Sequence, residues 1–242
     1  MSGSRVSSQP AYLIHTRAYR ETSLIIEAFS QDYGKVSLIA KGVRKKNSPS
    51  AAHLQPFKEL SLSWQGRSEL QTLTAVDCID QATKLQGKAV FCGFYLNELL
   101  TFLLTKHDPH PALYLHYKAS LESLNRSASQ EAALRYFELK LLEETGYGLC
   151  LDSEIRNGNP IVEDRLYCFH PEEGAALLDD EQAGAIHGRT LIDLHNQTLE
   201  SPCSLFEAKK LMRTIIKHRL GGRSLRSREL FKGTSLKLGK IK

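Results

Sequence analysis

Between residues 11 and 78 apolar and polar side chains change places about every second position, the period of a half-buried strand. Leu24, Ile26 and Ala28 alternate with Ser23, Ile25 and Glu27, and Leu60, Leu62 and Trp64 alternate with Glu59, Ser61 and Ser63. The pattern predicts five strands, over 11–17, 23–29, 35–41, 57–64 and 69–77, with Asp32-Tyr33-Gly34 and Gln65-Gly66-Arg67 as turn material. Short antiparallel strands with one longer connection after the third suit a small closed barrel. The five-stranded oligonucleotide-binding (OB) barrel is the commonest such solution, and an SH3-like barrel fits the same pattern. Tyr12, Phe29, Phe57 and Trp64 are expected in its core.

After Asp80 the period lengthens to that of a helix. Phe91, Tyr95, Leu96, Leu99, Leu100 and Leu103 give residues 88–105 a wide apolar face, ended by Asp108-Pro109-His110-Pro111. Pro111 is placed to open a helix over 112–124 as a first-turn proline. Residues 131–145 carry Leu134, Phe137, Leu141 and Leu142 on one face, and Gly146 stands where a left-handed cap belongs. Ser204-Leu205-Phe206-Glu207 has capping-box spacing and is expected to open a helix running to Leu220. The intervening segment mixes a β-like patch at 166–170 with short helices. The chain therefore reads as α+β: a barrel domain over 1–80 and a mainly α-helical domain over 81–242.

Composition narrows the class. With 41 % hydrophobic and 24 % charged residues the chain resembles ordinary soluble globular proteins. No apolar run approaches the roughly 18 residues of a membrane span. The first ten residues lack the apolar core of a signal peptide, so a cytoplasmic location and no membrane partner are expected. Five cysteines without a CxxC pair suggest reduced, mostly buried thiols. Charge is unevenly spread. Residues 1–80 hold ten basic and seven acidic groups, 81–207 ten and nineteen, and 208–242 twelve and one. So many like charges at one end call for a polyanionic partner, and nucleic acid leads because each neutralised phosphate releases counterions.

Lys41, Arg44, Lys45 and Lys46 leave the third predicted strand together, a loop able to meet successive phosphates. Arg17, Arg20, Lys35 and Arg67 extend that track if their strands face one side, which the pattern does not decide. Tyr19 and Tyr33 are candidate stacking partners for bases. Lys209, Lys210, Arg213 and Lys217 recur at helical spacing beside Leu211, Met212 and Ile215. Such a cationic rim suits an acidic peptide ending in a hydrophobic residue, and equally the solvated face of an amphipathic helix. Arg223, Arg226 and Arg228, with Lys232, Lys237, Lys240 and Lys242 beyond, form a second candidate DNA-contacting strip. No catalytic constellation stands out. Acidic runs such as Glu143-Glu144 and Glu172-Glu173 look solvated, and the nine histidines show neither HxH nor HExxH spacing. The chain is expected to be no enzyme and to need no cofactor.

An ordered set of segments carries a family resemblance: Glu21-Thr22-Ser23-Leu24, Lys41-Gly42-Val43-Arg44, Leu54-Gln55-Pro56-Phe57, Tyr95-Leu96-Asn97-Glu98-Leu99-Leu100, Leu134-Arg135-Tyr136-Phe137-Glu138, Gly146-Tyr147-Gly148, Leu220-Gly221-Gly222 and Ser227-Arg228-Glu229-Leu230. In that order they resemble the RecO family of bacterial recombination mediators. The resemblance implies an OB barrel followed by helices, binding of single- and double-stranded DNA, and annealing of complementary strands. It also implies binding of the C-terminal tail of the single-strand-binding protein, action with RecR to load RecA, and RecF as an indirect partner. It adds Arg135 to the peptide-binding candidates. Many members resemble a zinc ribbon after the segment matching Gly148. Here 149–175 offers only Cys150, Cys168 and nearby His170, not the close pairs that structural zinc needs, so buried thiols and no metal are expected. An RNA-binding OB protein in RNA maturation or translation, and a scaffold that docks acidic proteins only, are the alternatives.

Overall fold

The computed structural model describes residues 4–46, 48–79, 84–126, 130–179 and 182–230. Strands β1 (Ser4–Tyr19), β2 (Ser23–Ser30), β3 (Gly34–Ala40), β4 (Glu59–Gly66) and β5 (Leu70–Cys78) close a barrel in the order β1-β2-β3-β5-β4. β3 and β5 run parallel and every other pair antiparallel. This is the OB order, with the short helix α1 (Pro49–His53) in the longer connection. β1 starts earlier than alternation suggests: polar Ser4 and Arg5 pair with Gly66 and Gln65 of β4, so the ladder rather than an apolar stripe holds that end.

The barrel interior is filled by Leu13, Ile26, Leu38, Leu60, Leu62 and Trp64, each 1 % exposed or less. Burying side chains of this size contributes about 1.5–3 kcal/mol each. Tyr12, Phe29 and Phe57 are not among the interior residues, contrary to expectation. Register explains two of them. Glu59, Tyr12, Phe29 and Lys35 stand opposite one another across β4, β1, β2 and β3, forming one row on the outer surface. Helices α2 (Lys88–Leu103) and α3 (Pro111–Leu124) cover that row. Tyr114 packs 5.3 Å from Tyr12 and 5.6 Å from Phe29, ring centre to ring centre, and Tyr117 meets Tyr12 edge-on at 5.0 Å. Phe57 meets Phe94 of α2 at 5.0 Å. A Cβ on Gly93, also in α2, would lie 2.7 Å from the Phe57 ring, so the helix approaches only because that position has no side chain.

Polar groups complete the seam. Tyr114 Oη donates to Glu59 Oε1 (3.0 Å) and Lys118 Nζ to Glu59 Oε2 (2.7 Å). Asn97 Nδ2 donates to the Leu13 carbonyl (3.3 Å), while Asn97 Oδ1 accepts from Tyr117 Oη (2.5 Å). Burial, with Tyr12 beside it, pushes the Tyr117 phenol well above its ordinary range, so it stays a neutral donor. Gly34 sits in the β2–β3 turn at φ +63°, and a Cβ there would lie 2.0 Å from the Asp108 carbonyl oxygen.

The described residues of 1–127 and 225–242 form one compact unit and those of 128–224 another. α2 and α3 thus group with the barrel. The returning segment is held there by Glu98, whose carboxylate accepts from the backbone N–H groups of Arg226 (2.8 Å) and Ser227 (2.9 Å) and from Ser227 Oγ (2.6 Å).

The second unit contains α4 (Gln130–Glu144), β6 (Leu166–His170), β7 (Gly174–Leu177), β8 (Ile186–His187), α5 (Gly188–His195) and α6 (Pro202–Arg219), with sheet order β7-β6-β8. Gly146 adopts φ +82° as anticipated, and Tyr147 N donates back to the Leu142 carbonyl at 2.7 Å. The capping box is corrected. The cap of α6 lies three residues earlier, with Ser201 Oγ accepting from Ser204 N (3.0 Å), Pro202 in the first turn, and Glu207 engaged elsewhere. Nor are the thiols mostly buried: Cys92 is buried, Cys78 and Cys168 are half-buried, and Cys150 and Cys203 are exposed. Among the described residues no helix is long and apolar enough to cross a membrane.

Asn97→Ala strips the Tyr117 hydroxyl of its acceptor and the Leu13 carbonyl of its donor. Losing these two buried hydrogen bonds should lower stability by about 1–3 kcal/mol, measurable as a lower denaturation midpoint for the barrel unit.

Candidate nucleic-acid interface

The usable face of the barrel is set by a bulge. Along β1, Tyr12 and Leu13 stand opposite Phe29 and Ala28, but His15, not Ile14, stands opposite Glu27. The extra residue reverses the in–out phase of the rest of the strand. In unbroken alternation Arg17 would share the inward side with Leu13. As built, it stands opposite Ile25, which in turn stands opposite Ile39 on β3. Their neighbours Ile26 and Leu38 fill the core, so Arg17, Ile25 and Ile39 form one row on the other side of the sheet, with Arg17 exposed, Ile39 half-buried and Ile25 buried. A row of His15, Glu27 and Ser37 separates it from the row under the helices. Ser37 Oγ donates to both Glu27 carboxylate oxygens at 2.9 Å, which keeps that carboxylate drawn along the sheet.

At the end of this face lies an open groove of about 680 Å³, lined by Arg20, Glu21, Thr22, Ser23, Ile39, Lys41, Gly42 and Lys45. Three cations and one acid share the lining with Thr22, Ser23 and the apolar Ile39. The β1–β2 turn and the loop after β3 form its rims, and backbone bonds tie them together: Arg44 N donates to the Thr22 carbonyl at 2.8 Å. Arg44 Nη1 also reaches the Arg20 carbonyl at 3.3 Å. Gly42 at φ +70° turns the loop so that Lys45 N meets the Gly42 carbonyl at 3.1 Å. The Arg20 guanidinium lies 5.3 Å from the centre of the Tyr19 ring, which is half-buried beside the groove.

Of the eleven DNA-contact candidates, Arg20, Lys41 and Lys45 line this groove, Arg44 bridges its rims, and Arg17 stands on the same face. Lys46 is exposed in the same loop, and Arg67 is exposed in the β4–β5 turn without lining the groove. Lys35 is a correction. It belongs to the helix-covered row, is 8 % exposed, and donates through Nζ to the Thr101 carbonyl (2.7 Å) in the last turn of α2. Burial lowers its ammonium pKa, against the pull of Glu27 and with a lesser push from Lys106. Tyr33 lies in the β2–β3 turn with its ring edge-on to Trp64 at 5.4 Å, outside the groove lining. Ile39 was missed because an apolar residue in a strand reads as core. Only the register shows that it faces out.

Arg226 and Arg228 lie in the segment held by Glu98; Arg226 is exposed and Arg228 half-buried. Arg223, in the second unit, is exposed. Lys232, Lys237, Lys240 and Lys242 lie outside the described residues. On α6, Lys210, Arg213 and Lys217 are exposed, and Lys210 Nζ sits 5.4 Å from the centre of the largely exposed Phe206 ring. Lys209 is engaged with Glu131 at 2.7 Å. Arg135 is the second correction: it is 5 % exposed within α4, with Nη2 2.6 Å from Glu138 Oε1, and so is not part of an exposed rim.

The model of the recombination protein O N-terminal region matches residues 1–82, and that of its C-terminal region matches residues 85–229. The chain belongs to the recombination protein O family. It is 47 % identical over 232 residues to a DNA repair protein RecO of Methylococcus capsulatus, covering 96 % of each chain. It is 42 % identical to those of Halorhodospira halophila, with 93 % of this chain and 96 % of the relative covered, and of Nitrosococcus oceani, with 93 % of each covered. Family membership accounts for the OB barrel.

An amine-reactive reagent applied to the folded protein should modify Lys41, Lys45 and Lys46 and leave Lys35 untouched, read by peptide mass spectrometry. Modification of Lys35 at a comparable rate would contradict its burial under α2.

Proposed function

We propose that this protein is a non-enzymatic DNA-binding mediator of recombination repair. The observation that carries the reading is the groove with its three cations around Ile39, continuous with the face that bears Arg17. Phosphates neutralised there by Arg17, Arg20, Lys41, Arg44 and Lys45 would release counterions, while Tyr19 and Ile39 meet bases without reading their sequence. Lys46 and Arg67 would add contacts at the margins, as would Arg226 and Arg228 on the barrel unit and, separately, Arg223 on the second unit. The relatives' shared name, DNA repair protein, favours DNA over RNA.

Annealing needs no hydrolysis in this scheme. Two like-charged strands lose their mutual repulsion on a cationic surface, and base pairing supplies the free energy. Exposed Phe206 with Lys210, Arg213 and Lys217 supports a separate surface for the acidic, hydrophobic-ended tail of the single-strand-binding protein. Delivery to coated DNA would then lead, with RecR, to loading of RecA in the cytoplasm.

Salt-titrated binding of a single-stranded oligonucleotide tests this. Lys41→Ala with Lys45→Ala should weaken binding and reduce the log–log salt slope by about 1.4, the share of two phosphate contacts on single strands. Arg213→Glu with Lys217→Glu should weaken an acidic tail peptide and spare the oligonucleotide. Equal losses in both assays would remove the assignment of two surfaces, and stronger binding of a matched RNA would remove the choice of DNA.

A further inference from the structure

In the second unit three side chains of metal-ligating type converge from distant points in the sequence. Cys203 and Glu207 stand four residues apart on α6 and so share one helix face, while His187 ends β8 as the N-cap of α5. His187 Nδ1 lies 2.6 Å from Glu207 Oε1, and Cys203 Sγ lies 3.8 Å from the same oxygen. All three ligand atoms fall within 4.8 Å of one another. Tetrahedral zinc bound by nitrogen, sulfur and oxygen separates its ligand atoms by about 3–4 Å, so small rotations of exposed His187 and Cys203 suffice to admit an ion.

The carboxylate at the centre is already held. Glu207 Oε2 accepts from Thr190 Oγ1 at 2.6 Å and from His187 N at 3.1 Å, and Thr190 is buried. This matches the outer shell of bound metals, where a second hydrogen bond fixes each first ligand. An ordinary ion pair accounts for His187 and Glu207 but does not call for the Cys203 thiol, which donates to the same carboxylate oxygen.

We propose that His187, Cys203 and Glu207 bind a zinc ion, with water as the fourth ligand. Imidazole and thiolate together favour zinc-class ions over magnesium or calcium. The thiol gives up its proton to solvent on binding, and no electron transfer is involved. The expectation of no metal rested on residues 149–175, and this site uses neither Cys150 nor Cys168. Bound there, the ion would tie the β8–α5 junction to the start of α6.

Cobalt is the probe. Chelator-washed full-length protein should take up one Co²⁺ per chain, with a thiolate-to-cobalt absorption band in the near ultraviolet that Zn²⁺ abolishes by displacement. Cys203→Ser should eliminate the band, and since Cys203 is exposed, unchanged circular dichroism will verify the fold. Thr190→Val should weaken Co²⁺ binding about ten- to a hundredfold. The double variant Cys150→Ser with Cys168→Ser should keep the band. Absence of a band in the parent protein, its survival in Cys203→Ser, or its loss in the double variant would each overturn the proposal.

Discussion

One row of side chains, Glu59, Tyr12, Phe29 and Lys35, governs what the barrel can do. It is the part of the outer surface that α2 and α3 take, through tilted and edge-on tyrosine rings, a buried carboxylate with two donors, and a lysine on the end of α2. A buried carboxylate and ammonium are costly unless hydrogen-bonded, so the helices dock in one position where those needs are met. Beyond Glu27 the same docking leaves Arg17 exposed and Ile39 half-buried. What the barrel offers a partner is therefore the remainder after its own helices have been satisfied.

Much of the architecture was legible because it depends on local periods. Strand alternation, the first-turn Pro111 and the Gly146 cap all survive in the fold, and the basic loop after β3 stands on the groove. What failed needed tertiary information. Tyr12 and Phe29 are as apolar as core residues, and only register puts them outside. Arg135 and Lys35 are charged and were read as surface, yet Glu138 and the Thr101 carbonyl take them in. Glu207 sat at capping-box spacing, but His187 and Thr190 compete for it, and Ser201 caps instead. In each case a long-range partner displaced a local rule.

Charge follows a similar logic. The excess of cations over 208–242 looks uniform in the sequence, but the fold divides it. Lys209 is neutralised by Glu131, and Arg219 lies 4.0 Å from the centre of the Tyr147 ring. Arg226 belongs to a segment whose backbone, not whose guanidinium, satisfies Glu98. Net charge along a chain thus overstates the field that a partner meets, since some cations are already answered from within.

The single surplus residue near Ile14 has an evolutionary corollary. A deletion there would keep nearly every side chain yet turn the far half of the first strand over, moving Arg17 from the row of Ile25 and Ile39 to the side of Leu13. Chain length at that point consequently matters more to the working surface than residue identity does. Gaps should be far rarer there than amino-acid replacements in any set of descendants that keeps the same working surface.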